Sequence, residues 1–103
     1  MSKPLTNLCV YKVKPGKEAE FEALLAKHYP TLKKLDLATD DKPVIYKGRD
    51  HKTPKTVYFE LFSWKDASSP ERAHQLPEVM QIWEPMGNLC DDMMFPHVER
   101  VHF

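Results

Sequence analysis

From Leu5 to Val13 the side chains alternate, with Leu8, Val10 and Lys12 on one face and Cys9, Tyr11 and Val13 on the other. Apolar residues fall on both faces, which predicts a strand covered on each side. Pro15-Gly16 is a turn signal. From Lys17 to about Leu37 the period becomes helical. Phe21, Leu24, Leu25, His28, Leu32 and Leu35 form one apolar stripe. Lys17, Glu18, Glu20, Glu22, Lys27, Lys33 and Lys34 supply the wet face. Pro30 lies inside this stripe and is expected to kink or split the helix, because it lacks a donor and clashes with the preceding turn.

The polar run Thr39-Asp40-Asp41-Lys42 predicts a loop. Pro43 to Lys47 predicts a second strand ending near Gly48, and Asp50 to Lys55 a hairpin-type connection. Thr56 to Trp64 carries the strongest strand signal, with Val57, Tyr58, Phe59, Leu61, Phe62 and Trp64 all favouring extended backbone. Ser69 suits a helix N-cap and Pro70 the first helical position. A short turn from Pro70 to Gln75 and a helix from Pro77 to about Cys90 follow, the latter with Val79, Met80, Trp83, Met86, Leu89 and Cys90 as its apolar stripe. Met93 to Phe103 predicts a final strand, irregular or at an edge because of Pro96.

The order βαββαβ is that of an α+β, ferredoxin-like domain: two helices on one face of a four-stranded antiparallel sheet. One such domain is expected over residues 1–103. In the third strand Val57, Phe59 and Leu61 point one way, and Tyr58, Phe62 and Trp64 the other. Helices cover only one of these apolar faces. The second predicts a homodimer packed sheet against sheet.

Composition narrows the partners. Fifteen basic and 15 acidic residues give zero formal charge. That argues against nucleic acid, whose phosphates demand a basic surface, and gives no attraction to anionic membranes. No stretch is long and apolar enough to span a bilayer and no signal-peptide pattern is present, so a cytoplasmic location is expected. Cys9 and Cys90 are far apart and sit in apolar segments, which predicts two buried free thiols.

Three segments carry a family resemblance: Pro15-Gly16-Lys17-Glu18-Ala19-Glu20-Phe21, Tyr58-Phe59-Glu60-Leu61-Phe62-Ser63-Trp64-Lys65-Asp66, and Ala73-His74-Gln75-Leu76-Pro77-Glu78-Val79. With them the chain resembles the dimeric α/β-barrel superfamily, most closely the antibiotic-biosynthesis-monooxygenase-like domains, over nearly its whole length. The resemblance implies a cavity between sheet and helices for flat or apolar molecules. It implies a cofactor-independent monooxygenase-like enzyme acting on a small apolar or aromatic compound, with no cofactor and no metal. Fold alone does not decide this. A non-catalytic small-molecule-binding dimer is one alternative, and a haem-binding or haem-degrading protein another. Two departures stand out. Many relatives carry His after Pro77, where this chain has Glu78. Haem-degrading relatives place a Trp and a downstream His in the second helix, where this chain offers His74 and then Trp83-Glu84. Asn7 does match the Asn of their first strand.

His74, expected near the cavity mouth, is the candidate base, since an imidazole exchanges protons near neutral pH. Its structural alternative is a bond to a backbone carbonyl at the helix break. Glu60 sits among aromatics, where a carboxylate is costly unless paired. It is either a base or hydrogen-bond acceptor, or a partner of Arg49, Lys12 or Arg100. Trp64, Trp83 and Met86 are candidate pocket walls or plain core. Asn7, Tyr11 and Tyr58 are candidate ligand contacts, or a strand-end cap and dimer packing. His28 is expected to be a satisfied core histidine. His51, His97 and His102 make no recognisable metal set.

Overall fold

The computed structural model describes residues 3–103; Met1 and Ser2 lie outside the described residues. The elements run β1 (Leu5–Val13), α1 (Glu18–Lys34), β2 (Val44–Arg49), β3 (Thr56–Trp64), α2 (Ser69–His74), α3 (Pro77–Asn88) and β4 (Cys90–Met94). The strands form one antiparallel sheet in the order β2-β3-β1-β4. This is the α+β ferredoxin-like arrangement expected from the element order, with the helices on one side.

The register separates the two faces of the sheet. Tyr11 pairs with Tyr58, Cys9 with Glu60 and Asn7 with Phe62, and all six are buried beneath the helices. The alternate positions, Leu8 against Leu61 and Val10 against Phe59, face away from them. There Leu61, Phe59, Val44 and Tyr46 remain exposed, Tyr46 by 67%.

α1 runs unbroken through Pro30, so the expected split is corrected to a continuous 17-residue helix. Pro30 and Ala26 both lie on the exposed side. The missing amide donor therefore leaves the Ala26 carbonyl toward water, while the buried stripe Phe21, Leu25, His28 and Leu32 continues intact. The helix closes at Asp36, with φ of 61°. The Leu37 amide donates to the Leu32 carbonyl at 2.9 Å and the Asp36 amide to that of Lys33 at 3.1 Å. This double return satisfies the last carbonyls and drops Leu37 into the core beside Leu32.

Two further expectations change. Ser69 and Pro70 are the first two residues of α2, and Ser68 rather than Ser69 is its N-cap. Asp66 holds that helix start, accepting from the Ser68 amide at 3.0 Å and the Ser69 hydroxyl at 3.0 Å. The last strand is also shorter than the predicted Met93 to Phe103. After Met94 the chain follows β1 through Leu8 N–H to the Pro96 carbonyl (3.0 Å), Val98 N–H to that of Thr6 (2.9 Å) and the Asn7 side-chain amide to that of Phe95 (3.4 Å). Pro96 cannot donate, and regular pairing stops there.

Phe21 is fully buried, with its ring 5.1 Å from that of Tyr11 and 4.9 Å from that of Tyr58. Phe21→Ala is expected to cost about 3–5 kcal/mol, measured by urea unfolding against the parent chain.

Candidate functional site

The site grows from one buried acid. Glu60 is 0% exposed, because β3 alternation turns it inward between Tyr58 and Phe62. Tyr11, on the neighbouring strand, donates its hydroxyl to Glu60 Oε1 at 2.8 Å. His28, one step along the α1 stripe from Leu25, brings Nδ1 to 3.1 Å from both carboxylate oxygens. Trp83 of α3 donates its indole N–H to His28 Nε2 at 2.9 Å.

These contacts assign the protons. An indole nitrogen only donates, so His28 Nε2 must accept and Nδ1 carries the hydrogen. The His28–Glu60 contact has ion-pair distance. With Nε2 unprotonated it is a neutral imidazole donating to a carboxylate. Burial first, and then the Glu60 charge, push the Tyr11 hydroxyl far above its ordinary range, so it stays a donor. The result is an ordered line of groups from β1 through β3 and α1 to α3.

A cavity of about 370 Å³ opens in front of this line, between the sheet and α3. Asn7, Cys9, Tyr11 and His28 form its inner end. Phe62, Trp64, Trp83, Met80, Met86, Met93 and Phe95 wall it. His74, Glu84 and His97 line it as exposed residues. The aromatic walls meet edge to face: Phe62 lies 5.0 Å from Trp64, and Trp64 lies 6.2 Å from Trp83 at 87°. Two cavity-lining residues each have a buried polar atom without a partner among the described residues, Asn7 Oδ1 and Trp64 Nε1. One accepts and the other donates. Each costs about 1–3 kcal/mol while unpaired.

Of the residues singled out in the sequence, Asn7, Tyr11, Trp64, Trp83, Met86 and His74 come together around this cavity. His74 is exposed, 4.8 Å from the Trp83 ring and edge-on to it. Glu60 stands behind Tyr11 and His28 rather than on the cavity wall. Its partners are those two, not Arg49, Lys12 or Arg100. Tyr58 does not line this cavity. Its hydroxyl is turned to the far end of the sheet, where it donates to Glu22 at 2.6 Å. That bond and the one from Lys47 hold the Glu22 carboxyl below its usual range. His28 is both a satisfied buried histidine and a cavity residue. Its place on the apolar stripe signalled burial, but nothing local pointed to Glu60 and Trp83, which are 32 and 55 residues away. His97 reaches the cavity through an isolated bridge to Asn7. Among the described residues, no three His, Cys, Asp or Glu side chains converge as a metal site.

No protein-family model matches the chain, and no curated protein matches its sequence. Solved structures do match, and they share the fold of antibiotic-biosynthesis-monooxygenase-like proteins. SnoaB, a cofactor-independent oxygenase from Streptomyces nogalater, superposes in a point-mutant form with a TM-score of 0.73 at 16% identity, over 97% of this chain and 95% of that one. A candidate antibiotic biosynthesis monooxygenase from Bordetella bronchiseptica gives 0.70 at 18% identity, over 99% and 100%. A conserved protein from Methanosarcina mazei Go1 gives 0.71 at 18%, over 95% and 93%.

Both thiols are free and buried. Burial, with the Glu60 charge adding to it, pushes the Cys9 thiol from 9.0 up to about 12. Burial, with Asp91 beside it, pushes Cys90 up to about 11. Neither thiol is therefore expected to react with iodoacetamide in the native protein at neutral pH, and both are expected to react in urea. Because the folded values are raised, the unfolded chain ionises first. Stability is expected to hold below the ordinary thiol value of 9.0 and to fall as pH climbs from there toward 12, read as a declining thermal midpoint.

Proposed function

We propose that this chain is a cofactor-independent oxygenase acting on a small, flat aromatic compound that bears hydroxyl or keto oxygens. The observation that carries this reading is the cavity itself: aromatic and methionine walls, with an unpaired acceptor on Asn7 and an unpaired donor on Trp64. Flat apolar surface suits the walls, and a ring oxygen suits the two polar atoms. The shared fold with a cofactor-independent oxygenase supports the same reaction class.

In that reaction an imidazole of the cavity takes a proton from the activated substrate, and the resulting carbanion reacts with oxygen. Overall, a ring CH2 group and O2 become C=O and water. The carbon is oxidised, one oxygen atom stays on it, and the other leaves as water. His74, at the rim and open to solvent, passes the proton out.

The working unit is proposed to be a homodimer with the outer sheet faces packed together. Support comes from the exposed apolar row of Val44, Tyr46, Phe59 and Leu61, a surface that folding alone leaves in water. Among the described residues no helix is long and apolar enough to cross a membrane.

A second reading, haem binding, is favoured by one observation. Asn7, His74 and Trp83 share the cavity, and no hydrogen bond occupies the His74 ring among the described residues. The walls would then take the porphyrin plane.

Three measurements test these readings. Oxygen uptake is expected with a panel of hydroxyanthrones and naphthols, about a hundredfold slower in His74→Ala and partly restored by added imidazole. Saturable binding with no uptake across the panel would make the protein a binder instead. Haemin should leave the Soret band unmoved; a shift lost in His74→Ala would establish the second reading. Sedimentation equilibrium should show a dimer that Phe59→Lys converts to monomer, and a monomeric parent chain would overturn the paired-sheet assembly.

A further inference from the structure

Within that oxygenase reading, we propose that His28 is the base that takes the ligand's hydroxyl proton, with Glu60 as its positioning residue and Trp83 as a displaceable cap on its Nε2. The geometry points there in three steps.

First, the imidazole is already oriented for the task. Nδ1–H is held by both oxygens of a fully buried carboxylate, which leaves Nε2 as the acceptor. A base needs its free lone pair turned toward the substrate and its positive charge stabilised once it forms. Glu60 supplies that stabilisation from behind. His28 faces Glu60 and Phe62 from β3 and Trp83 from α3, and Tyr11 of β1 donates to the same Glu60 carboxylate. Glu60 is the charged group among them.

Second, His28 meets the cavity. His28 and Trp83 both line it, and among the described residues the only hydrogen bond to Nε2 is that of the indole N–H at 2.9 Å. Trp83 is half-buried, with its ring against those of His28, Trp64 and His74, whereas His28 is only 3% exposed and fixed from behind. A phenolic or enolic O–H entering the cavity exchanges with the indole N–H as donor to the same nitrogen. The number of hydrogen bonds to Nε2 is conserved in the exchange.

Third, the proton has a defined course. The ligand O–H bond breaks, its proton goes to Nε2, and the electron pair stays on the ligand oxygen. The imidazolium so formed is paired with Glu60 and beside the ligand oxyanion. The site thereby selects ligands with an acidic hydroxyl over their methyl ethers.

The test uses 4-nitrophenol and its methyl ether, 4-nitroanisole, with the full chain. Below the dye's own ionisation midpoint, bound 4-nitrophenol is expected to show its phenolate absorption, and 4-nitroanisole to bind more weakly. His28→Gln and Glu60→Gln are expected to bind the dye in its colourless phenol form. Trp83→Phe keeps the ring but removes the cap. It is expected to bind 4-nitrophenol about fivefold more tightly, the factor of one ordinary hydrogen bond, with the phenolate retained. Phenolate that persists in His28→Gln, or that disappears in His74→Ala, overturns the assignment. So does unchanged affinity in Trp83→Phe, which decides the matter even where the buried variants fail to fold. If neither compound binds the parent chain, the aromatic-ligand reading fails and takes this assignment with it. Binding of both with no phenolate overturns the base alone.

Discussion

A carboxylate without solvent is the constraint around which this protein is arranged. Glu60 is fully buried among aromatic rings, and such a group is tolerated only when its oxygens are occupied by donors. Tyr11 and His28 occupy them, from the neighbouring strand and from the helix above. Each of those donors is committed in turn. Tyr11 cannot leave without stranding Glu60, and His28 cannot change tautomer without losing Trp83. The position of α3 over the sheet is thus tied through Trp83 and His28 to one residue in the middle of β3.

That constraint also explains why the cavity lies where it does. The helices pack closely on the sheet around Phe21, where the rings of Tyr11 and Tyr58 flank it. Beyond His28 the layer is held apart by rings meeting edge to face rather than by aliphatic side chains that interdigitate. Large planar groups at steep angles leave space between them, and the flexible Met80, Met86 and Met93 border that space without filling it. The polar line therefore ends at a cavity wall instead of at solvent.

Much of the fold was legible in local pattern. β1 and β3 were bounded at Leu5–Val13 and Thr56–Trp64 by runs of strand-favouring side chains apolar on both faces, the pattern of central strands. The misreadings fall where a local rule met a non-local compensation. Pro30 interrupts nothing, because its lost hydrogen bond lies on the wet side of α1. Tyr58 shares a sheet face with Glu60, yet the face extends past the cavity, and period-two logic cannot say where a cavity ends. The pairing of His28 with Glu60 and Trp83 had no local signal at all. It depends on how α1 and α3 cross the sheet, and a stripe of apolar positions specifies burial without naming the neighbour.

The two faces of β3 then divide the protein's tasks by residue parity. Even positions from Tyr58 to Trp64 build the interior and its polar line, while odd positions Phe59 and Leu61 face outward. A slip of one residue in the β1–β3 register would exchange these sets, exposing Glu60 and burying Phe59 in its place. Tyr11 and Cys9 would then face apolar carbon in place of a carboxylate and a hydroxyl. The hydrogen bond from Tyr11 to Glu60 is satisfied in one register only, so the buried acid selects the pairing that creates the cavity as well as the chemistry beside it.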